Sequence, residues 1–173
     1  MRRQRMIPLF LALAFAALVP VAARAQGDLS GTYTLNAQES DNVNAAIDAA
    51  VRRMSFVTRP IARGRLRKTN TAYQRVEISH SAQSVSVKFD TRDPIQTPGN
   101  GSSVKWRRED GEEFDVSTKW ENGRLEQTFN AEDGRRVNVY TLSADGRTLT
   151  MNVTITSPRL PQPLTYKLVF NRA

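Results

Sequence analysis

The sequence has no cysteine and only one histidine among its 173 residues. The lack of cysteine excludes disulfide bonds, thiolate nucleophiles and the cysteine ligands of zinc sites. His80 lies between two serines at the end of a predicted strand and has no second histidine to share a metal ion. We therefore expect no metal site and no cofactor. His80 is interpreted as a polar residue at a loop edge, with a haem or metal ligand as the less favoured alternative.

Patterns for catalysis are equally scarce. No serine occupies a strand-to-helix elbow, and the one dense group of carboxylates falls in a predicted hairpin turn, at Glu109, Asp110, Glu112, Glu113 and Asp115. A glycosidase pair or a calcium loop needs carboxylates that converge on one point, whereas this turn should splay them into water. We expect a protein that is not an enzyme.

A long apolar run occurs only near the N-terminus, over residues 7–21. Three arginines precede it and the small-x-small site Ala23-Arg24-Ala25 follows, which predicts a secretory signal peptide at residues 1–25, cleaved after Ala25. Two prolines break the run, which is shorter than the roughly 20 residues of a membrane span. We therefore expect a periplasmic or secreted protein whose residues 26–173 form a single domain.

The balance of charge is mildly basic. The chain has 25 Lys and Arg against 17 Asp and Glu, and four of the arginines lie in the predicted signal peptide, so its removal lowers the net charge from +8 to +4. This charge is small for a nucleic-acid binder, and an exported protein rarely meets nucleic acid. We expect no nucleic-acid partner, and we expect a monomer.

Turn signals recur through the second half of the chain, and apolar and polar residues alternate with period two between them. Such a repeat without helices predicts an antiparallel meander that forms a barrel or a sandwich. The turn signals are Pro98-Gly99-Asn100-Gly101, Glu109-Asp110-Gly111, Glu121-Asn122-Gly123, Glu132-Asp133-Gly134 and Ala144-Asp145-Gly146. In residues 135–142 the faces are ambiguous, because Val137 and Val139 alternate with Tyr140 and Leu142.

The first half of the chain differs from the second in the period of its apolar residues. A strand over residues 29–35 precedes a helical pattern in which apolar residues recur from Val43 to Met54, with Ser40, Asp41 or Asn42 as the cap. A weaker helix is predicted from Pro60 to about Lys68. The whole is therefore predicted to be an all-β fold of about ten antiparallel strands, with a helix pair over about residues 41–68 inserted between strands 1 and 2.

This order of elements resembles the calycin superfamily, and within it the fatty-acid-binding proteins. Gly31-Thr32-Tyr33 stands where lipocalins carry Gly-x-Trp, and the resemblance implies that Arg172 packs across the Tyr33 ring. It also implies an up-and-down barrel that binds a small apolar or amphipathic ligand beneath a helical lid. Fatty-acid-binding proteins hold a carboxylate with an Arg-x-Tyr pair on the last strand, but Tyr166 has only Leu164 and Leu168 beside it on that face.

Large side chains on the strands and the lid are candidates to line a ligand cavity: Met54, Phe89, Trp106, Trp120, Phe129, Tyr140, Met151 and Tyr166. The same residues would fill the core of a narrower barrel. A barrel of about ten strands is wider than its side chains readily fill, which favours a cavity. The alternative is a filled barrel that serves as a protein-interaction or envelope-associated module.

A basic stretch covers residues 52–75, which contain no acidic residue. It is either a solvated helix face or a surface that docks on anionic lipid. The candidate membrane-facing residues are Arg59, Arg63, Arg65, Arg67 and Lys68.

Overall fold

The computed structural model describes residues 28–173, so the predicted signal peptide and its cleavage site lie outside the described residues. The predicted ten antiparallel strands and inserted helix pair are confirmed. In chain order the elements are β1 (Gly31–Leu35), α1 (Val43–Val51), α2 (Thr58–Thr69), β2 (Arg75–His80), β3 (Val85–Phe89), β4 (Ile95–Thr97), β5 (Asn100–Arg107), β6 (Glu113–Glu121), β7 (Arg124–Ala131), β8 (Gly134–Leu142), β9 (Thr148–Thr156) and β10 (Leu164–Arg172). No helix within residues 28–173 is long and apolar enough to cross a bilayer.

The strands form one sheet in the order β4-β3-β2-β1-β10-β9-β8-β7-β6-β5. Strands that are consecutive in the chain are neighbours in the sheet, except for β4 and β5, which form its two edges. Strand β1 pairs with both β2 and β10, so the first and last strands of the chain lie side by side. The outermost strands, β4 and β5, approach each other, and the hydroxyls of Thr97 and Thr118 bridge β4 to β6 at 2.6 Å. The sheet thus curls into a nearly closed barrel.

The hairpin turns follow the predicted signals with two exceptions. Asn122 and Gly123 have φ values of 51° and 75°, as a two-residue turn with the twist of the flanking strands requires. Asn100-Gly101, however, begins β5 and belongs to a register irregularity rather than to a turn. Gly134 already pairs with Ala131, so that turn is made by the two residues before the glycine.

Inward-facing residues alternate along the strands and make a single core. In β8 the ambiguity of faces is decided by register, because Tyr140 lies opposite Leu125 and Asn138 lies opposite Gln127. Arg136, Asn138 and Tyr140 therefore point inward with these partners. Val137 and Val139 lie on the outer face and are only partly buried.

One end of the barrel is closed by the C-terminus. The guanidinium carbon of Arg172 lies 5.1 Å from the centre of the Tyr33 ring, so the contact implied by the calycin resemblance is present. Arg172 also donates to the Tyr33 hydroxyl at 2.8 Å and to backbone carbonyls of Asp28, Ser30 and Gly146. A Cβ at Gly31 would lie 3.2 Å from this guanidinium, which explains the small residue there.

Helix α1 covers part of the opposite end, which we call the mouth. The side chain of Asn42 caps α1 by accepting a hydrogen bond from the Ala45 N–H at 3.1 Å. The face of α1 that points to the barrel is buried, with Val43, Ile47, Ala50 and Val51. The helix ends at Val51, earlier than the apolar periodicity predicted, and Met54 lies in the turn that leads to α2.

Helix α2 is different, because none of its residues is buried. Its apolar residues Ile61, Ala62 and Leu66 border the space at the mouth, and of these only Leu66 packs against the core. The helix therefore spans the mouth without filling it.

Candidate ligand-binding site at the barrel mouth

A cleft of about 870 Å³ lies between α2 and the strand ends at the mouth. One wall is α2, with Ile61, Arg65 and Leu66. The opposite walls come from the β5–β6, β7–β8 and β9–β10 connections and the strand ends beside them, including Phe114 at the start of β6 and Leu160. The volume is within the range of small-molecule sites, which is roughly 300 to 1,000 Å³. We call this space the mouth cleft.

Below the mouth cleft the barrel is largely filled. A second space of only about 60 Å³ lies near the β4–β5 gap, bounded among others by Phe89, Trp106 and Phe129. Met151 is fully buried in the core, opposite Tyr140 and Leu168 on the neighbouring strands. Of these two spaces, only the mouth cleft is large enough for a ligand.

The predicted ligand-lining residues occupy different levels of the barrel. Met54 lines the mouth cleft, and Tyr140 and Tyr166 lie buried beneath it. Trp120 is six residues along β6 from Phe114 and packs edge-on against His80, with ring centres 5.1 Å apart, so it lies towards the closed end. His80 in turn lies 3.0 Å from the Asp28 carboxylate.

Arg136 reaches the mouth cleft from β8 and is the central residue of the site. Its Nε donates to the Asn138 side-chain oxygen at 2.9 Å and its Nη1 to that of Asn70 at 3.1 Å. Its guanidinium carbon lies 5.8 Å from the Tyr73 ring centre. Nη2 is buried and has no hydrogen-bond partner, and no carboxylate among residues 28–173 forms an ion pair with Arg136.

Neutral polar groups continue from Arg136 into the barrel. The Asn138 amide donates to the Tyr140 hydroxyl at 3.2 Å, and that hydroxyl donates to the Gln127 oxygen at 2.9 Å. Tyr166 donates to the Asn70 oxygen at 3.4 Å. We call these residues the Arg136 cluster: Asn70, Gln127, Arg136, Asn138, Tyr140 and Tyr166.

The protonation states leave Arg136 as the one charge of this cluster. Burial raises the pKa of both tyrosines, Tyr140 and Tyr166, so both hydroxyls stay neutral. Burial lowers the pKa of Arg136, but the surrounding tyrosines raise it and the net direction is upward. The cluster therefore presents a partly buried positive charge, with Nη2 fully buried, surrounded by neutral hydrogen-bonding groups.

Arg108, on the other side of the mouth cleft, provides a contrast. It lies 5.2 Å from the Phe114 ring centre and pairs with the carboxylates of Asp110, at 2.8 Å, and Glu112. The hydrogen bond from Arg108 lowers the pKa of Asp110. The charge of Arg108 is thus compensated within its own hairpin.

The other predicted carboxylates of this hairpin also pair with separate cations. Glu113 pairs with Arg107, and Asp115 with Lys105 at 2.9 Å. No group of three or more His, Asp or Glu in the described part of the chain could hold a metal ion. These carboxylates do not converge on one point.

The basic residues of α2 fall into two groups. Arg63 and Arg67 pair with Asp48 of α1, at 2.8 and 3.2 Å, and Arg59 donates to the Met54 carbonyl at 2.7 Å. The remaining two, Arg65 and Lys68, line the mouth cleft and form no ion pair with any described residue.

An apolar tip accompanies these charges. Phe56, Val57 and Ile61, at the turn before α2 and in its first turn, are 85%, 60% and 59% exposed. These three residues, which we call the apolar tip, are the only large hydrophobic side chains classed as exposed in residues 28–173.

Arg136, Asn70, Asn138 and Gln127 were missed by the reasoning from sequence. The signal was present, because Arg136 and Asn138 share the alternation of Tyr140 along β8. The neighbouring valines obscured it, since two β-branched residues on the other face fit an inward orientation equally well.

Comparison with known proteins shows likeness in structure alone. No protein-family model and no curated protein matches the sequence. A secretory abundant heat soluble protein from Ramazzottius varieornatus is similar with a TM-score of 0.60 at 10% identity, covering 84% of this chain and 95% of that one.

Two further solved structures are similar over nearly their whole length. A REP1-NXSQ fatty acid transporter has a TM-score of 0.56 at 16% identity, covering 84% of this chain and 96% of its own. Human cRBP IV has a TM-score of 0.52 at 21% identity, covering 84% and 98%. With the strand order, these likenesses confirm the predicted fold: the chain is a calycin-like ten-stranded barrel.

Proposed function

We propose that this protein binds a small amphipathic molecule with an anionic head. The head contacts Arg136 and the apolar tail lies in the mouth cleft. The observation that carries the proposal is the guanidinium of Arg136, whose Nη2 is buried without a hydrogen-bond partner and which pairs with no carboxylate in the described part of the chain.

A buried charge without a counter-ion is costly, because it loses hydration and gains no Coulombic partner. A bound carboxylate, sulfate or phosphate would supply both the missing charge and the missing acceptor. Arg presents parallel N–H groups that suit such oxygens. The chemistry of the site therefore favours an anion over a neutral head.

The surroundings of Arg136 favour an apolar tail. Ile61, Leu66, Phe114, Ile155 and Leu160 line the mouth cleft above it. The solved structures of this fold support a hydrophobic ligand, since they include a fatty acid transporter and a fatty acid binding protein from Schistosoma mansoni in complex with arachidonic acid.

A matched pair of ligands tests the proposal. Laurate and 1-dodecanol share a twelve-carbon tail and differ in the charge of the head, so titration calorimetry with both isolates the contribution of charge. Wild type should bind laurate more tightly than it binds 1-dodecanol. Arg136→Met should lower the affinity for laurate by about tenfold or more and leave the affinity for 1-dodecanol unchanged. Equal binding of the two ligands by wild type would contradict the anionic head. Binding of neither would favour the filled-barrel interaction module.

The site of action follows from the predicted leader. We propose that the mature protein begins after Ala25 and acts as a monomer in the periplasm or outside the cell. The mass of protein recovered from periplasmic extract or culture medium tests the cleavage, and light scattering tests the monomer.

A second proposed function is docking on anionic membranes, favoured by the apolar tip beside the cations of α2. Phe56, Val57 and Ile61 would enter the interface while Arg65 and Lys68 contact acidic headgroups, each charge contributing about 1 kcal/mol. This position would place the mouth cleft next to the lipid from which a ligand is taken.

Charge reversal at the two ends of the barrel tests docking. Arg65→Glu with Lys68→Glu should abolish co-sedimentation with vesicles containing anionic lipid. Arg124→Glu with Arg147→Glu changes the net charge equally at exposed positions away from α2 and should bind like wild type. Wild-type binding should weaken in high salt, where the Debye length falls from about 10 Å at 0.1 M to 3 Å at 1 M. Equal losses in both variants would show that only net charge matters.

A further inference from the structure

We propose that Asn70 is a specificity-determining residue that occupies the anion position of Arg136 in the empty protein and links that position to helix α2. The inference rests on the proposed function, because it concerns the same Arg136 site. Asn70 would then compete with the ligand head for Arg136, and its displacement by the head would affect α2.

Asn70 is 6% exposed and ends α2 as its C-cap residue. Its side-chain oxygen accepts from Arg136 Nη1 at 3.1 Å and from the Tyr166 hydroxyl at 3.4 Å. One amide oxygen thus receives two donors, as a carboxylate oxygen of a ligand would. It lacks the negative charge, so Arg136 remains uncompensated.

The geometry of Arg136 makes Asn70 the group that an anion displaces. A carboxylate binds a guanidinium best through two parallel N–H groups, and the two edges open to it are Nη1–Nη2 and Nη2–Nε. Nε is held by Asn138, which is 1% exposed and also bonded to Tyr140. Asn70 lines the mouth cleft from which a ligand enters. The anion therefore takes the Nη1–Nη2 edge and replaces the Asn70 oxygen.

Displacement of Asn70 affects α2 because the same residue holds the end of the helix. Its backbone N–H and its side-chain amide both donate to the Leu66 carbonyl, at 2.9 and 3.1 Å. None of the α2 residues is buried, so the helix has little packing with which to resist fraying. Arrival of an anionic head at Arg136 should therefore loosen the last turn of α2, at the edge of the mouth cleft.

Two substitutions at Asn70 move laurate affinity in opposite directions. Asn70→Ala removes the competing acceptor and should tighten laurate binding by about tenfold. Asn70→Asp places a carboxylate beside Arg136 and should lower the affinity for laurate by about tenfold or more. Asn70 lines the mouth cleft, so both variants can also shift the affinity for 1-dodecanol. That shift should be smaller than the one for laurate and should not take opposite signs in the two variants, because the head of 1-dodecanol cannot neutralise Arg136. If Asn70→Ala does not fold, Asn70→Asp alone decides the question.

Hydrogen exchange measures the link to α2. Laurate should increase amide exchange at residues 66–71 of wild type, and 1-dodecanol should not. In Asn70→Ala these amides should exchange fast without ligand and change little when laurate is added. Exchange within α1 serves as the internal control, since its buried residues do not depend on Asn70.

The outcomes separate the two proposals. Laurate affinity that depends on Arg136 but is the same in wild type and both Asn70 variants would leave the proposed function standing and overturn this inference. Opposite shifts in affinity without any change in exchange would refute the link to α2 while retaining Asn70 as a competitor. No laurate binding by wild type would overturn both proposals.

Discussion

The two ends of the barrel each hold an arginine beside a tyrosine ring, and the two arginines differ in how many of their hydrogen bonds are made. At the closed end Arg172 lies over Tyr33, and its N–H groups donate to three backbone carbonyls and one hydroxyl. At the mouth Arg136 lies near Tyr73, and its Nη2 is buried without a partner. Residue type and aromatic neighbour are alike, so the difference lies in how completely each guanidinium is satisfied.

This difference separates a structural role for Arg172 from the binding role that we propose for Arg136. A guanidinium such as that of Arg172, with four of its five N–H groups hydrogen-bonded, contributes to the free energy of folding and has little to offer a ligand. A buried guanidinium with an open N–H lowers stability and gains when an anion arrives. The unpaired guanidinium of Arg136 thus lowers the unfolding free energy of the protein, and binding of an anion would offset this loss.

The largest expected effect is on stability, and it compares the packed helix α1 with the less packed helix α2 at the mouth. Ile47 of α1 is fully buried, so Ile47→Ala should cost about 2 to 5 kcal/mol of unfolding free energy. Leu66 of α2 is only partly buried, and Leu66→Ala should cost about 1 kcal/mol. Urea denaturation of both variants measures the two losses. Equal losses would mean that α2 is packed as firmly as α1.

The next comparison removes each arginine in turn. Arg172→Gln breaks hydrogen bonds from a charged group and should lower the unfolding free energy by about 1.5 to 3 kcal/mol. Arg136→Met removes an uncompensated buried charge and should be neutral or stabilising without ligand. Thermal melts of the ligand-free proteins test this. A large destabilisation by Arg136→Met would show that its bonds to Asn70 and Asn138 outweigh the buried charge.

A double-mutant cycle isolates the contact at the closed end. Tyr33→Leu and Arg172→Gln, singly and together, should reveal a coupling of about 0.5 to 2 kcal/mol, since the cation and the ring are 5.1 Å apart. Each variant is measured by urea denaturation. Additive losses would indicate that Arg172 acts through its backbone carbonyls alone.

Alkaline titration gives the smallest effect and compares the tyrosines at both ends. Burial raises the pKa of Tyr33, Tyr140 and Tyr166, so in the folded protein these phenols should ionise above their ordinary value of about 10. Unfolded tyrosines release their protons near pH 10. Stability from the three phenols is therefore complete below pH 10 and is lost as the pH rises further. Phenolate absorbance measured against pH should show these groups ionising late, together with unfolding. Ionisation of Tyr33, Tyr140 and Tyr166 at their ordinary pKa would contradict their burial.

The fold was predictable because its signals are local and repeated. The period-two segments, the glycine-containing turns and the helical period of Val43 to Val51 each identify an element without knowledge of its neighbours. The contact between Tyr33 and Arg172 was predictable only through the resemblance, since 139 positions separate the two residues.

The Arg136 cluster was predictable in part. Tyr140 and Tyr166 were identified as candidates from their size and position on strands. Arg136 and Asn138 were not, because the faces of β8 depend on which residues of β7 and β9 lie opposite them. Asn70 carries no local signal of its role, since it reaches Arg136 across 66 positions.

The sequence by itself determined the class of fold, the number and order of strands, and the place of the helix pair, because hydrophobic period and turn chemistry act between residues close along the chain. Only the tertiary structure decided that Arg136 faces inward without a counter-ion, that Asp48 pairs with Arg63 and Arg67, and that the open space lies at the mouth. These features depend on register and on the packing of distant segments. The alternation of side chains along a strand shows that it has two faces, but only the neighbouring strands determine which face is buried.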